Sequence, residues 1–76
     1  MKQVEKMQVT TKKVASRIKQ NRIEAELTQQ ELADFAGVDR KTINRIENGH
    51  FSPNIETLLR ISTALGVKPE SMFANA

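Results

Sequence analysis

TQQELADFAGVDRKTINRIENG, from Thr28 to Gly49, is the stretch whose reading decides the fold, because its residues spell a helix, a glycine turn and a second helix. Thr28 followed three residues later by Glu31 is a capping box, in which the hydroxyl accepts from a free helix N–H and the carboxylate reaches back to the Thr28 amide. A helix is therefore predicted from Gln29. Leu32, Ala33 and Ala36 recur at helical spacing as one buried stripe, and Gly37 supplies the left-handed conformation that ends the helix. Asp39 is placed to cap the next helix, whose apolar stripe is Ile43 and Ile46 and which Gly49 terminates. Ala33 is small where two helices joined by so short a turn must cross closely.

With Ile43 and Ile46 facing inward, Arg40, Lys41, Asn44 and Arg45 are left on the outer face of the second helix. Arg and Lys donate to guanine O6 and N7, and Asn pairs with adenine N6 and N7, so these four residues suit base reading in a major groove. The helix N-terminus adds partial positive charge near phosphate. A charged stripe alone is most often a solvated face. Its setting inside a cap, a small alanine, a glycine and an apolar frame is what points to double-stranded DNA.

Working outward, 76 residues are expected to hold one small core, without space for a separate sensing domain. The absence of cysteine excludes a disulfide framework and a thiolate metal site, and no long apolar run reads as a signal peptide or membrane span. A cytoplasmic protein is expected. The net charge of +3 is unevenly distributed: residues 1 to 27 carry seven Lys/Arg against three Glu. Such a basic segment suits an acidic partner such as nucleic acid, although solubilising charge would look the same.

Upstream, Val14, Ile18, Arg22 and Ala25 share one face of a helix of about 15 residues, with Lys12, Lys13 and Lys19 elsewhere on it for phosphate contacts. Arg22 falls among apolar positions, and a charge there needs a partner. The spacing of Val4, Met7, Thr11, Val14 and Ile18 leaves residues 1–10 as either a backward extension of helix 1 or a basic arm, ahead of a single domain over 11–76. Lys2 and Lys6 suit an arm and Glu5 opposes it; partial order without a base-reading role is the expectation.

Downstream, HFSPN reads as a loop with Asn54 as the cap of helix 4, which runs to about Leu65. Ile55, Leu58, Leu59, Ile61 and Leu65 cover an arc broader than one domain requires, leaving part of it for a second subunit. Gly66 ends that helix, and Pro69 begins a short one holding Met72 and Phe73. Thr42, Asn48, Ser52 and Asn54 can each donate to phosphate, but each also has a local capping or turn role.

Gln29, Glu31, Leu32, Ala33, Gly37, Val38, Ile43, Ile46, Glu47 and Gly49, followed by Pro53 and Ala64-Leu65-Gly66-Val67, form a pattern that resembles the Xre family of helix-turn-helix regulators. That family includes the lambdoid phage repressors and Cro proteins and the controllers of restriction-modification systems. The resemblance covers Val14 to Phe73. It implies an all-α, lambda-repressor-like domain, a compact bundle of five helices that binds operator DNA as a homodimer with its third helix in the major groove. It points to Glu47 as the partner of Arg22, the alternative being that both are exposed. It also makes Gln29, at the start of helix 2, the foremost phosphate-binding candidate, ahead of Lys19 and the residues named above. The dimer contact it implies lies in the helix 4 to helix 5 region, which nominates Leu65, Val67, Met72 and Phe73, the alternative being that they close the monomer core; the two weigh equally for Leu65 and Val67, and Phe73 leans towards the interface.

An enzyme is excluded on the pattern of residues, since no nucleophile is paired with a base and the glycines form no phosphate loop. His50 stands alone in a loop, so no metal or other cofactor is expected. The rival reading is an antitoxin or other protein-binding adaptor on the same fold, with DNA binding secondary and an unknown protein partner.

Overall fold

The computed structural model describes residues 10–73; the expectation of an arm or helical extension over residues 1–9 lies outside the described residues. Helix α1 spans Thr11–Glu24, α2 Gln29–Ala36, α3 Arg40–Glu47 and α4 Ile55–Leu65. The described residues contain no strand.

Local chemistry sets each helix start. Thr10 is extended, and its side chain accepts from the Lys13 N–H at 3.1 Å, so α1 begins at Thr11. At α2 both halves of the capping box form, with the Thr28 hydroxyl accepting from the Glu31 N–H at 3.0 Å and the Glu31 carboxylate accepting from the Thr28 N–H at 2.9 Å. Asn54 caps α4 by accepting from the Thr57 N–H at 2.8 Å. Asp39 has the extended backbone of a cap, but its carboxylate makes no capping hydrogen bond. Each expected glycine stop is present at positive φ: Gly37, Gly49 and Gly66.

Helix α1 ends without glycine. Glu26 takes φ 60 in its place. The turn is closed by Glu26 N–H to Ile23 O at 2.9 Å and Leu27 N–H to Arg22 O at 3.1 Å, the paired bonds of a Schellman motif.

The helix count departs from the five implied by the resemblance. The last element, Pro69–Met72, is a four-residue 3-10 helix and not a fifth α-helix. Lys68 is extended immediately before Pro69, and the Lys68 carbonyl accepts both the Ser71 N–H at 2.9 Å and the Ser71 hydroxyl at 2.7 Å. That local bonding tightens the turn and competes with an α-helical pattern.

The core lies where all these elements meet. Ile18 from α1, Leu32, Ala33 and Ala36 from α2, Ile43 and Ile46 from α3, Leu58 and Ile61 from α4, and Met72 from the 3-10 turn form one buried cluster. Ala33 is fully buried at the α2 crossing, where a larger side chain would force the helices apart.

Candidate nucleic-acid interface

Helix α3 carries two kinds of residue on one short rod. Ile43, Ile46 and Glu47 are buried, whereas Arg40, Lys41 and Arg45 are exposed. The 3.6-residue period separates these sets, so core packing fixes the rotation of the helix and thereby the direction of its basic face.

Glu47 is the buried end of a polar network. The Arg22 guanidinium approaches its carboxylate with two nitrogens, Nε at 2.7 Å from Oε2 and Nη2 at 3.1 Å from Oε1. Gln29 Nε2 donates to the same Oε1 at 3.0 Å, and Arg22 Nη1 donates to the Leu27 carbonyl at 2.8 Å. The Glu47 side chain is 1% exposed and that of Arg22 13%. One carboxylate therefore joins α1, α2 and α3, and the forked, charge-assisted geometry satisfies groups that would otherwise be costly to bury.

The network continues along α3. Asn44 Nδ2 donates to Gln29 Oε1 at 3.3 Å, and Asn48 Nδ2 donates to Asn44 Oδ1 at 3.1 Å. Asn44 thus differs from the freely exposed reader expected from the sequence: it is half-buried, with both ends of its amide engaged within the protein. Gln29 is likewise anchored, although an amide nitrogen carries two hydrogens and its second remains available to an acceptor.

The other phosphate candidates are scattered around this framework. Lys19 and Lys12 line a concavity shared with Asn48 and Gly49, so the basic side of α1 meets the end of α3. Ser52 is hydrogen-bonded hydroxyl to hydroxyl with Thr11 at 3.1 Å, which ties the loop after α3 to the start of α1. Thr42 is half-buried on α3, and the Asn54 side-chain oxygen is committed to its cap.

The nominated dimer residues separate into two groups. Met72 is only 1% exposed and belongs to the monomer core, so it has no surface to offer a second copy. Leu65 and Val67 are half-buried against that core, while Phe73 is 42% exposed. Ile55 and Leu59 on α4 and Phe35 on α2 are exposed as well, and Phe35 and Leu59 line one shallow groove.

A helix-turn-helix family model, HTH_3, matches residues 18–71, spanning most of the chain and the whole of α2 and α3. The chain belongs to this helix-turn-helix family. Its α2, Gly37 turn and α3 are the motif that gives the family its name. Among similar proteins, an HTH-type transcriptional regulator of Methanothermobacter thermautotrophicus is 47% identical over 49 residues, covering 64% of this chain and 71% of the relative. The restriction-modification controller protein C.AhdI of Aeromonas hydrophila superposes with a TM-score of 0.81 at 28% identity, covering 83% of this chain and 96% of the controller. The P22 c2 repressor, solved in complex with a synthetic operator, superposes with a TM-score of 0.76 at 28% identity, covering 83% of this chain and 96% of that one. This helix-turn-helix chain thus shares its fold with transcriptional regulators, and no helix among its described residues is long and apolar enough to cross a membrane.

Two features of the site had no expectation attached to them in the sequence. Thr10 caps α1 from a segment read only as arm or extension. Phe51 lies beneath the Arg45 guanidinium, with Arg45 Cζ 5.9 Å from the ring centroid; the available signal was an aromatic residue six positions beyond an arginine, across a glycine turn.

Proposed function

We propose that the chain is a sequence-specific DNA-binding transcriptional regulator that works as a homodimer on a roughly palindromic operator, with α3 in the major groove. The observation that carries this reading is the division of α3 into a buried Ile43–Ile46–Glu47 side and an exposed Arg40–Lys41–Arg45 side. The likeness to transcriptional regulators and to a repressor solved on operator DNA supports it.

In this reading Arg40, Lys41 and Arg45 meet base edges, and Asn44 joins them through exchange of its hydrogen bonds to Gln29 and Asn48. Lys19, Gln29, Thr42, Asn48, Ser52 and Asn54 fix the register against phosphates, which carry affinity but no sequence information. Dimerisation uses Phe73 with the open edges of Leu65 and Val67. One such helix touches few base pairs, so two copies read half-sites about 34 to 36 Å apart on one face of the duplex.

The test is selection of bound sequences from a random DNA pool at fixed salt, combined with sedimentation of the protein–DNA complex. The expected result is an inverted repeat occupied by two chains. Binding with no sequence preference, or one chain on an asymmetric site, would sink the proposal.

A further inference from the structure

Phe51 is an exposed aromatic that is nonetheless held in place. The loop carrying it leaves α3 through the Schellman turn in which the His50 N–H donates to the Arg45 carbonyl at 2.9 Å. One residue further on, Ser52 is bound to Thr11 at 3.1 Å. The ring also lines a half-open cavity of about 230 Å³ that it shares with the apolar Val14, Ile46, Leu58 and Phe73 and with the hydroxyls of Thr11 and Ser52. The Arg45 guanidinium lies over this ring, with Cζ 5.9 Å from its centroid. A cation at this distance is attracted by the ring quadrupole.

We propose that Phe51 is a positioning and specificity-determining residue for base readout, holding the Arg45 side chain in the conformation that reads its base. The proposal rests on the reading of α3 as the base-contacting helix. A cation–π contact places no guanidinium N–H on an oxygen acceptor, so the donors of Arg45 remain available for guanine O6 and N7. Arginine otherwise loses extensive rotamer freedom on binding, and a ring that restricts it beforehand lowers that loss. Arg22 is held in the opposite manner, through its donors: Glu47 and the Leu27 carbonyl accept from it. Arg45 is steadied by an aromatic face instead.

The experiment compares Phe51→Leu, which keeps apolar volume over the cavity but removes the π face, with Phe51→Trp, which keeps a π face. Each is made in the full chain, alone and with Arg45→Ala, and urea midpoints establish that the variants fold. Affinities are measured for the operator selected by the unaltered protein, for its single-base variants and for random DNA at one salt concentration. Phe51→Leu is expected to weaken operator binding about two- to fivefold. It should flatten preference only at the base pair that Arg45→Ala flattens, add nothing in the Arg45→Ala background, and leave random-DNA binding unchanged; Phe51→Trp should retain preference. In the free protein, the upfield ring-current shift of the Arg45 Cδ protons should disappear in Phe51→Leu. A uniform loss across all sequences, an effect that persists without Arg45, or an unchanged preference in Phe51→Leu overturns the proposal. If Arg45→Ala relaxes one base position and Phe51→Leu does not, only the role of Phe51 fails; if Arg40→Ala and Arg45→Ala leave preference intact, the reading of α3 fails with it.

Discussion

Arg22 and Arg45 are the same residue type in opposite situations, and the contrast separates what builds this domain from what it presents. Arg22 is enclosed between α1 and α3, with its N–H groups directed at a buried carboxylate and a backbone carbonyl. Arg45 is exposed beside an aromatic ring, on the side of α3 away from the core. A buried charge is tolerable only with its partners complete, so Arg22 and Glu47 act on stability, whereas an exposed guanidinium contributes little to folding.

The largest effect that tests this contrast is removal of Glu47. Glu47→Ala leaves the guanidinium of Arg22 enclosed without its carboxylate and should cost about 3 to 5 kcal/mol of unfolding free energy in urea titrations. A double-mutant cycle with Arg22→Met should reveal strong coupling; additive losses would break the distinction. Arg40→Ala should do the reverse. Its loss on the selected operator is expected at about 1 to 3 kcal/mol, with the preference relaxed at one position, while unfolding free energy stays within about 0.5 kcal/mol. A comparable loss of stability would place Arg40 with the framework.

Two smaller effects sharpen the boundary between framework and proposed reading face. Thr28→Ala removes the cap that holds the first turn of α2, and with it the seat of Gln29, at a cost of about 1 kcal/mol. Thermal unfolding would detect this as a lowered midpoint, and binding should weaken equally on all sequences. Glu26→Gly should stabilise by about 0.5 kcal/mol, because relief of roughly 1 to 2 kcal/mol of left-handed strain is partly offset by the greater chain entropy glycine loses. DNA preference should not change in that variant, since Glu26 lies in the turn between α1 and α2.

Much of the fold was legible because its signals are local. The Thr28–Glu31 box, the stops at Gly37, Gly49 and Gly66, and the stripe through Ile43 and Ile46 each depend on residues a turn or two apart. What escaped depends on tertiary placement. Glu26 carries no composition signal for a left-handed stop; the turn is held by backbone bonds and by Arg22 Nη1 on the Leu27 carbonyl. Five α-helices were expected where the last element is a 3-10 turn, because a proline at a first position predicts a helix start but not its pitch. At the candidate site, exposure of Arg40, Lys41 and Arg45 followed from periodicity, but the engagement of Asn44 did not. Its bond to Gln29 crosses from α3 to α2, and no spacing within one helix encodes that approach.

The helix ends have a kinetic consequence. Each of the four helices closes with backbone bonds to carbonyls of its own last turn, at Glu26 and Leu27, Gly37 and Val38, Gly49 and His50, and Gly66 and Val67. These closures span only a few residues, so an unfolded chain can begin each stop before any helix finds its neighbour. With α2 and α3 only eight residues long, the helices consolidate as they dock across brief connections, in the low-contact-order regime in which helical domains fold in microseconds to milliseconds.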